Sequence, residues 1–148
     1  MKNILVAIDE YEAVTTDSPI VEQTVQLASA FTSKVWILHI VPAPRQAPFN
    51  IDNSLLRKES SGELRQEHEH LHHLAHCLRE RSVDAKALLV EGSVVKTILR
   101  ESERLNIDLI IMGCHRHGLL YKALSEGSAE GLLGRCLLPI LFVPMGGG

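Results

Sequence analysis

Aromatic side chains are scarce in this chain, at 4% of its residues, and no block of like charges stands out. A nucleic-acid-binding module shows the opposite, a basic face with aromatics exposed for stacking. Here the formal net charge is −3 and the sequence pI is near 6.2, so nucleic acid is not an expected partner. Long hydrophobic runs are lacking too. The longest, "VWILHIV" and "LLPILFV", fall well short of the roughly 20 apolar residues that cross a bilayer as a helix, so no membrane partner is expected either. Cysteine is limited to Cys77, Cys114 and Cys136, an odd number, widely spaced and without a CxxC pair. That excludes a disulfide framework and fits a reducing, cytoplasmic setting. Residue 5 already lies in a strand-like run, so no signal peptide is expected.

What is present is an ordinary globular balance, 45% hydrophobic and 22% charged over 148 residues, enough for one domain with a real core. Residues 1–145 are read as that domain and 146–148 as a frayed tail or cloning scar. Apolar runs alternate with helix-period segments. "NILVAID" (3–9) is rich in branched apolar residues, as a strand buried on both faces requires. Ser18-Pro19 gives a helix start, serine capping and proline in the first helical position, with Ile20, Val21, Thr24, Val25, Leu27, Ala28 and Phe31 as its apolar stripe.

"KVWILHIV" (34–41) is a second buried strand, and the prolines of "PAPRQAP" (42–48) make the next segment a loop. A long polar helix is expected over 54–82, a strand over 85–92, and a helix over 93–105 with Val94, Val95, Ile98, Leu99 and Leu105 inward. A strand over 108–113, a short helix over 129–137 and a strand over 139–144 complete the chain. Strands alternating with helices predict an α/β fold, a doubly wound five-stranded parallel sheet with helices on both faces. "EGSVV" and "EGSAE" each set Gly-Ser near a helix start, which is reused capping chemistry rather than a repeat.

Ligands of such sheets bind beyond the carboxyl ends of the strands, where strand order reverses. That brings Asp9, the Ile40-Val41 end of strand two and the segment from Gly113 onward to one place. There "GCHRHG" admits three readings. As a metal site, Cys114, His115 and His117 are crowded together and lack a second ligand pair at zinc spacing. As a nucleophile and base, Cys114 and His115 point to opposite sides of an extended segment, leaving Cys114 a small packing residue. As a phosphate loop, the glycines allow close backbone approach. Gly127-Ser128, leading into a helix, adds N–H groups and the positive end of a helix dipole. The third reading fits best, with adenine on the strand ends and ribose near Asp9.

His68, His70, His72, His73 and His76 cluster on the expected polar helix, two pairs of them at i,i+4. Surrounded by Glu63, Arg65, Gln66, Glu67 and Glu69, they are read as a solvated face that would bind nickel or zinc only incidentally.

With these segments in hand, "NILVAID", "HIV", "EGSVVKTILRESERLNIDLIIMG" and the tail "GCHRHG…EGS…PILFVP" make the chain resemble the universal stress protein family over nearly its whole length. The resemblance implies a Rossmann-like, flavodoxin-like fold of the adenine nucleotide alpha hydrolase type, and a homodimer joined through strand 139–144. It implies ATP or AMP as ligand, with Mg accompanying ATP, in a stress-response module that signals or protects. The nucleotide-binding residues it implies are Ala7, Asp9, Ile40, Met112, Gly113, His115, Arg116, His117, Gly118, Gly127, Ser128 and Ala129.

Nucleotide-binding members carry Gly, two residues, Gly, nine residues, then Gly with Ser or Thr. Gly113 and Gly127-Ser128 match the ends of that pattern, but Arg116 stands at the second glycine and the run to Gly127 is one residue longer. Arg116 carries a Cβ where glycine would allow positive φ, yet its guanidinium can pair with phosphate oxygens. The alternative expectation is therefore a nucleotide-free dimeric interaction protein whose site Arg116 and the longer loop have closed. Hydrolysis of ATP is expected to be slow at most, since no evident group positions a water. An ATP pyrophosphatase or a flavodoxin would need a phosphate-cradling loop after strand one, where "DEYEAVTTDS" has no glycine. A phospho-receiver would need an aspartate where Glu91 stands.

Overall fold

The computed structural model describes residues 1–8, 18–41, 69–114 and 131–144. Five strands, β1 (Asn3–Ile8), β2 (Lys34–Val41), β3 (Asp84–Glu91), β4 (Leu109–Cys114) and β5 (Ile140–Pro144), form one parallel sheet in the order β3-β2-β1-β4-β5. Between them lie α1 (Pro19–Phe31), α2 (helical over 69–80), α3 (Val94–Arg104) and the single turn α4 (Leu132–Arg135). The expected α/β architecture is the observed one.

Alternation along each strand divides the core in two. Ile4, Val6 and Ile8 of β1 face one way, against Ile20, Val21, Val25 and Ala28 of α1 and Leu71, Leu74, Ala75 and Leu78 of α2. Leu5 and Ala7 face the other way, with Trp36, Leu38 and Ile40 of β2, Ile110 and Met112 of β4, Ile98 of α3 and Leu132 of α4. A strand with both faces covered needs apolar residues at every position, which is why β1, β2 and β4 are near-continuous apolar runs. Each fully buried leucine or isoleucine contributes about 1.5–3 kcal/mol of burial, and Ile4, Leu5, Leu38, Leu71, Ile98, Ile110 and Ile111 are among those essentially without exposure.

Ser18 and Pro19 start α1 at the expected positions, but no side-chain hydrogen bond from Ser18 caps it; the Ser18 carbonyl accepts from the N–H groups of Val21 (3.0 Å) and Glu22 (3.2 Å). Three helices stop by one device. Thr32, Ser82 and Asn106 adopt left-handed φ values of 53°, 65° and 52°. The residue after each donates its N–H five positions back, Ser33 to Ala28 (2.9 Å), Val83 to Leu78 (3.0 Å) and Ile107 to Ser102 (2.9 Å). This is the Schellman closure built without glycine, and each feeds a strand within three residues.

Several boundaries and faces differ from expectation. β1 is described over Asn3–Ile8; Asp9 lies outside the described residues, as do 42–48 and 54–68 of the expected loop and polar helix. The described helix stops at residue 80 because Ser82 takes the left-handed turn. β3, α3, β4 and β5 each shift by about one residue, and α4 is shorter than expected because Cys136 is already extended. Phe31, counted inward, is 49% exposed at the last position of α1. On α3, Ile98 is buried but Val94, Val95, Leu99 and Leu105 are only partly so. Glu101 takes a buried place instead, its carboxylate gripped by Arg104 at 2.7 and 2.6 Å.

Candidate functional site

β1 sits at the middle of the sheet. β2 and β3 add outward on one side of it, and β4 and β5 on the other, so the direction of growth reverses between β1 and β4. At such a reversal the connections leave the strand tips in opposite directions and open a crevice at the carboxyl edge.

Four of the expected nucleotide-binding residues are described, and the topology gathers them there. Ala7 pairs with Met112 on β4 and with Leu38 on β2, while Ile8 pairs with Gly113 and His39. Ala7, Ile40 and Met112 belong to the same half of the core, the one covered by α3 and α4, and all three are buried. Their adjacency comes from pairing across three strands that are far apart in sequence. Asp9, His115, Arg116, His117, Gly118, Gly127, Ser128 and Ala129 lie outside the described residues, as does the side chain of Cys114.

Reasoning from sequence passed over His39. It is a polar residue in the apolar run of β2, only 6% exposed, and its Nδ1 lies 3.1 Å from the carbonyl oxygen of Ile8. A carbonyl only accepts, so this nitrogen carries the proton. The bond fixes the last residue of β1 immediately before Asp9. The signal was available, since a histidine inside a run such as "WILHIV" needs a partner to be buried.

The neighbouring edge is closed by Gly92, whose N–H donates to the Val41 carbonyl (2.9 Å) at φ +154°. The opposite, amino-terminal edge is tied by Asp108, whose carboxylate accepts the N–H groups of Lys2 (2.8 Å) and Asn3 (3.0 Å). Those two donors hold the Asp108 carboxyl below the usual aspartate range. A hydrogen bond from Arg81 does the same for Glu22, joining the end of α2 to the start of α1 at 2.7 Å. The described part of the carboxyl edge thus brings buried apolar side chains together with strand-end backbone.

Elsewhere, His72, His73 and His76 are exposed, consistent with a solvated face. Among the described residues no three His, Cys, Asp or Glu side chains converge on a point, and no helix is long and apolar enough to cross a membrane.

A doubly wound parallel sheet whose strand order reverses between β1 and β4 defines an α/β protein of the Rossmann-like class. More narrowly, the chain belongs to the universal stress protein family, whose model matches residues 1–144. Similar solved structures share the fold at low sequence identity. A universal stress protein family member from Burkholderia pseudomallei is 23% identical with TM-score 0.68, covering 97% of this chain and 96% of its own. UspA from Lactobacillus plantarum is 15% identical with TM-score 0.70, covering 96% and 97%. A universal stress protein from Archaeoglobus fulgidus, solved in complex with dAMP, is 15% identical with TM-score 0.58, covering 96% and 97%. No curated protein matches the chain.

Proposed function

We propose that the chain binds an adenine nucleotide, ATP or AMP, at the β1–β4 edge and acts as a signalling or protective module of a cytoplasmic stress response. The observation that carries this reading is the reversal of strand order at β1, which aligns Ala7 with Met112 and Ile8 with Gly113. Family membership and the dAMP complex of the Archaeoglobus fulgidus relative support it.

The described residues fit an adenine base. Ala7 is small, paired with Leu38 and Met112 in the same half of the core as Ile40, and strand-end backbone groups beyond the ladder can read the ring edge. Asp9 follows β1 directly and would take the ribose hydroxyls. Gly113, His115, Arg116, His117, Gly118, Gly127, Ser128 and Ala129 would hold the phosphates, with Arg116 supplying a charged fork where relatives carry glycine. Mg would accompany ATP. Slow hydrolysis at most is expected.

The same reading includes a homodimer through 139–144. β5 is an edge strand with Phe142 41% exposed, and Leu137 beside it is 99% exposed, an apolar margin of the kind a second strand covers. Light scattering at high concentration is expected to give twice the monomer mass, and a monomer there would overturn the dimer.

The nucleotide is tested by denaturing freshly purified protein, resolving the supernatant by anion exchange, and melting the protein with and without Mg-ATP or AMP. Released adenine nucleotide, or a melting point raised by ATP and lowered again in Arg116→Ala, supports the reading. No nucleotide and no shift would favour the nucleotide-free interaction protein that Arg116 and the longer loop suggest.

A further inference from the structure

The outward stripe of α2 carries a pairing that the nucleotide site does not use. His73 and Cys77 are one turn apart, and Nε2 of the histidine lies 3.7 Å from Sγ of the cysteine. We propose that these two side chains form a chelate for a borderline divalent ion, with Zn²⁺ the best match.

Geometry is the first argument. With Zn–N near 2.05 Å, Zn–S near 2.3 Å and tetrahedral angles, the nitrogen-to-sulfur edge of a zinc site is about 3.6 Å. The observed 3.7 Å separation matches that edge. On binding, the thiol releases its proton to solvent as sulfur bonds the metal, and the imidazole supplies its Nε2 lone pair.

Rigidity is the second. Leu71, Leu74, Ala75 and Leu78 are buried against the sheet and fix the rotation of α2, holding His73 and Cys77 on its outer side. Chemistry is the third, since one imidazole and one thiolate select zinc, cobalt, nickel or copper over magnesium or calcium.

The structure also discriminates among the clustered residues. His76 engages Glu80 at 3.0 Å. Cys136, another cysteine with a described side chain, contacts the Leu138 carbonyl (3.7 Å). Among the described residues no third ligand converges on the pair, so the proposed chelate has two described teeth, its remaining positions taken by water or by other groups. Such a site exchanges its ion and does not hold the fold.

Co²⁺ reports thiolate ligation directly, because a sulfur-to-cobalt charge-transfer band appears in the near ultraviolet. Full-length, reduced protein is expected to develop that band at one equivalent of Co²⁺ and to lose it on adding Zn²⁺. Cys77→Ser should abolish the band, and His73→Ala should weaken Zn²⁺ binding at least ten-fold in a chelator competition. His72→Ala should stay within two-fold of the wild type. A second measurement needs no variant: Zn²⁺ should slow alkylation of Cys77 in the native protein, mapped by mass spectrometry. Absence of the band, its survival in Cys77→Ser, loss of binding in His72→Ala comparable to that in His73→Ala, or alkylation of Cys77 unaffected by Zn²⁺ would each overturn the proposal.

Discussion

The Nδ1–H of His39 donates to the carbonyl oxygen of Ile8, its partner across the β1–β2 ladder, at 3.1 Å. The bond spans two neighbouring strand ends and leaves no choice about which ring nitrogen carries this proton. It fixes the residue that precedes Asp9, and so ties a core contact to the ribose side of the proposed site.

His39→Leu keeps the burial and removes the donor. A buried carbonyl stripped of its partner costs about 1–3 kcal/mol, so a urea titration should show that loss. If the bond also positions Asp9, nucleotide affinity should fall in the variant under conditions where it remains fully folded. His39→Leu as stable as the wild type would mean that the Ile8 carbonyl is satisfied without His39.

Legibility followed the physics of each element. β1, β2 and β4 were readable because strands covered on both faces must be apolar throughout, and their carboxyl ends meet wherever the sheet is doubly wound. Topology alone brought Ile40 and Gly113 to one end of the sheet, while Ala7 and Met112 came with the family resemblance; the strands align Ala7 with Met112 and Ile8 with Gly113. What escaped was of another kind. Glu101 is buried because Arg104 can neutralise it from the next turn, a pairing that an apolar periodicity cannot register. The stops at Thr32, Ser82 and Asn106 escaped as well. Glycine is the usual sign of a left-handed cap, and none of the three positions carries it.

Those caps predict stabilisation by glycine. A left-handed conformation costs an L-residue about 1–2 kcal/mol, partly offset by glycine's greater freedom in the unfolded chain. Thr32→Gly should gain most, roughly 0.5–1 kcal/mol, because a β-branched residue suits φ 53° least. Asn106→Gly should gain least, since asparagine tolerates that region well. Midpoints of urea unfolding for Thr32→Gly, Ser82→Gly and Asn106→Gly should follow the order Thr32, Ser82, Asn106. The reverse order would show that side-chain contacts at Thr32 outweigh its strain.

Asp108 makes a prediction about acid. Its folded-state pKa lies below the ordinary 3.8 because the N–H groups of Asn3 and Lys2 favour the carboxylate. A group with a depressed folded pKa contributes stability that is full above its unfolded value and is lost as pH falls through the folded one. Asp108→Asn should therefore melt below the wild type at neutral pH, and the gap should narrow under pH 4 and close at lower pH. The group is exposed, so the gap should be small and should shrink with added salt to the extent that charge rather than hydrogen bonding produces it. A gap independent of pH would mean that the amide loses contacts unrelated to ionisation.

Gly92 closes β3 in a conformation that side chains rarely adopt, with φ +154° and its N–H bonded to Val41. A Cβ built there would lie 2.8 Å from Oγ1 of Thr97, in the first turn of α3. Two costs are thus superimposed, a backbone cost that any L-residue meets and a collision specific to Thr97. The backbone part is on the order of 1–3 kcal/mol. Gly92→Ala should lose at least that much in urea unfolding. In the Gly92→Ala/Thr97→Ala pair, the collision disappears and the backbone cost remains, so the double variant should lose less than the sum of the two single ones. Strict additivity would mean that the Thr97 side chain turns aside freely and that conformation alone keeps glycine at this position.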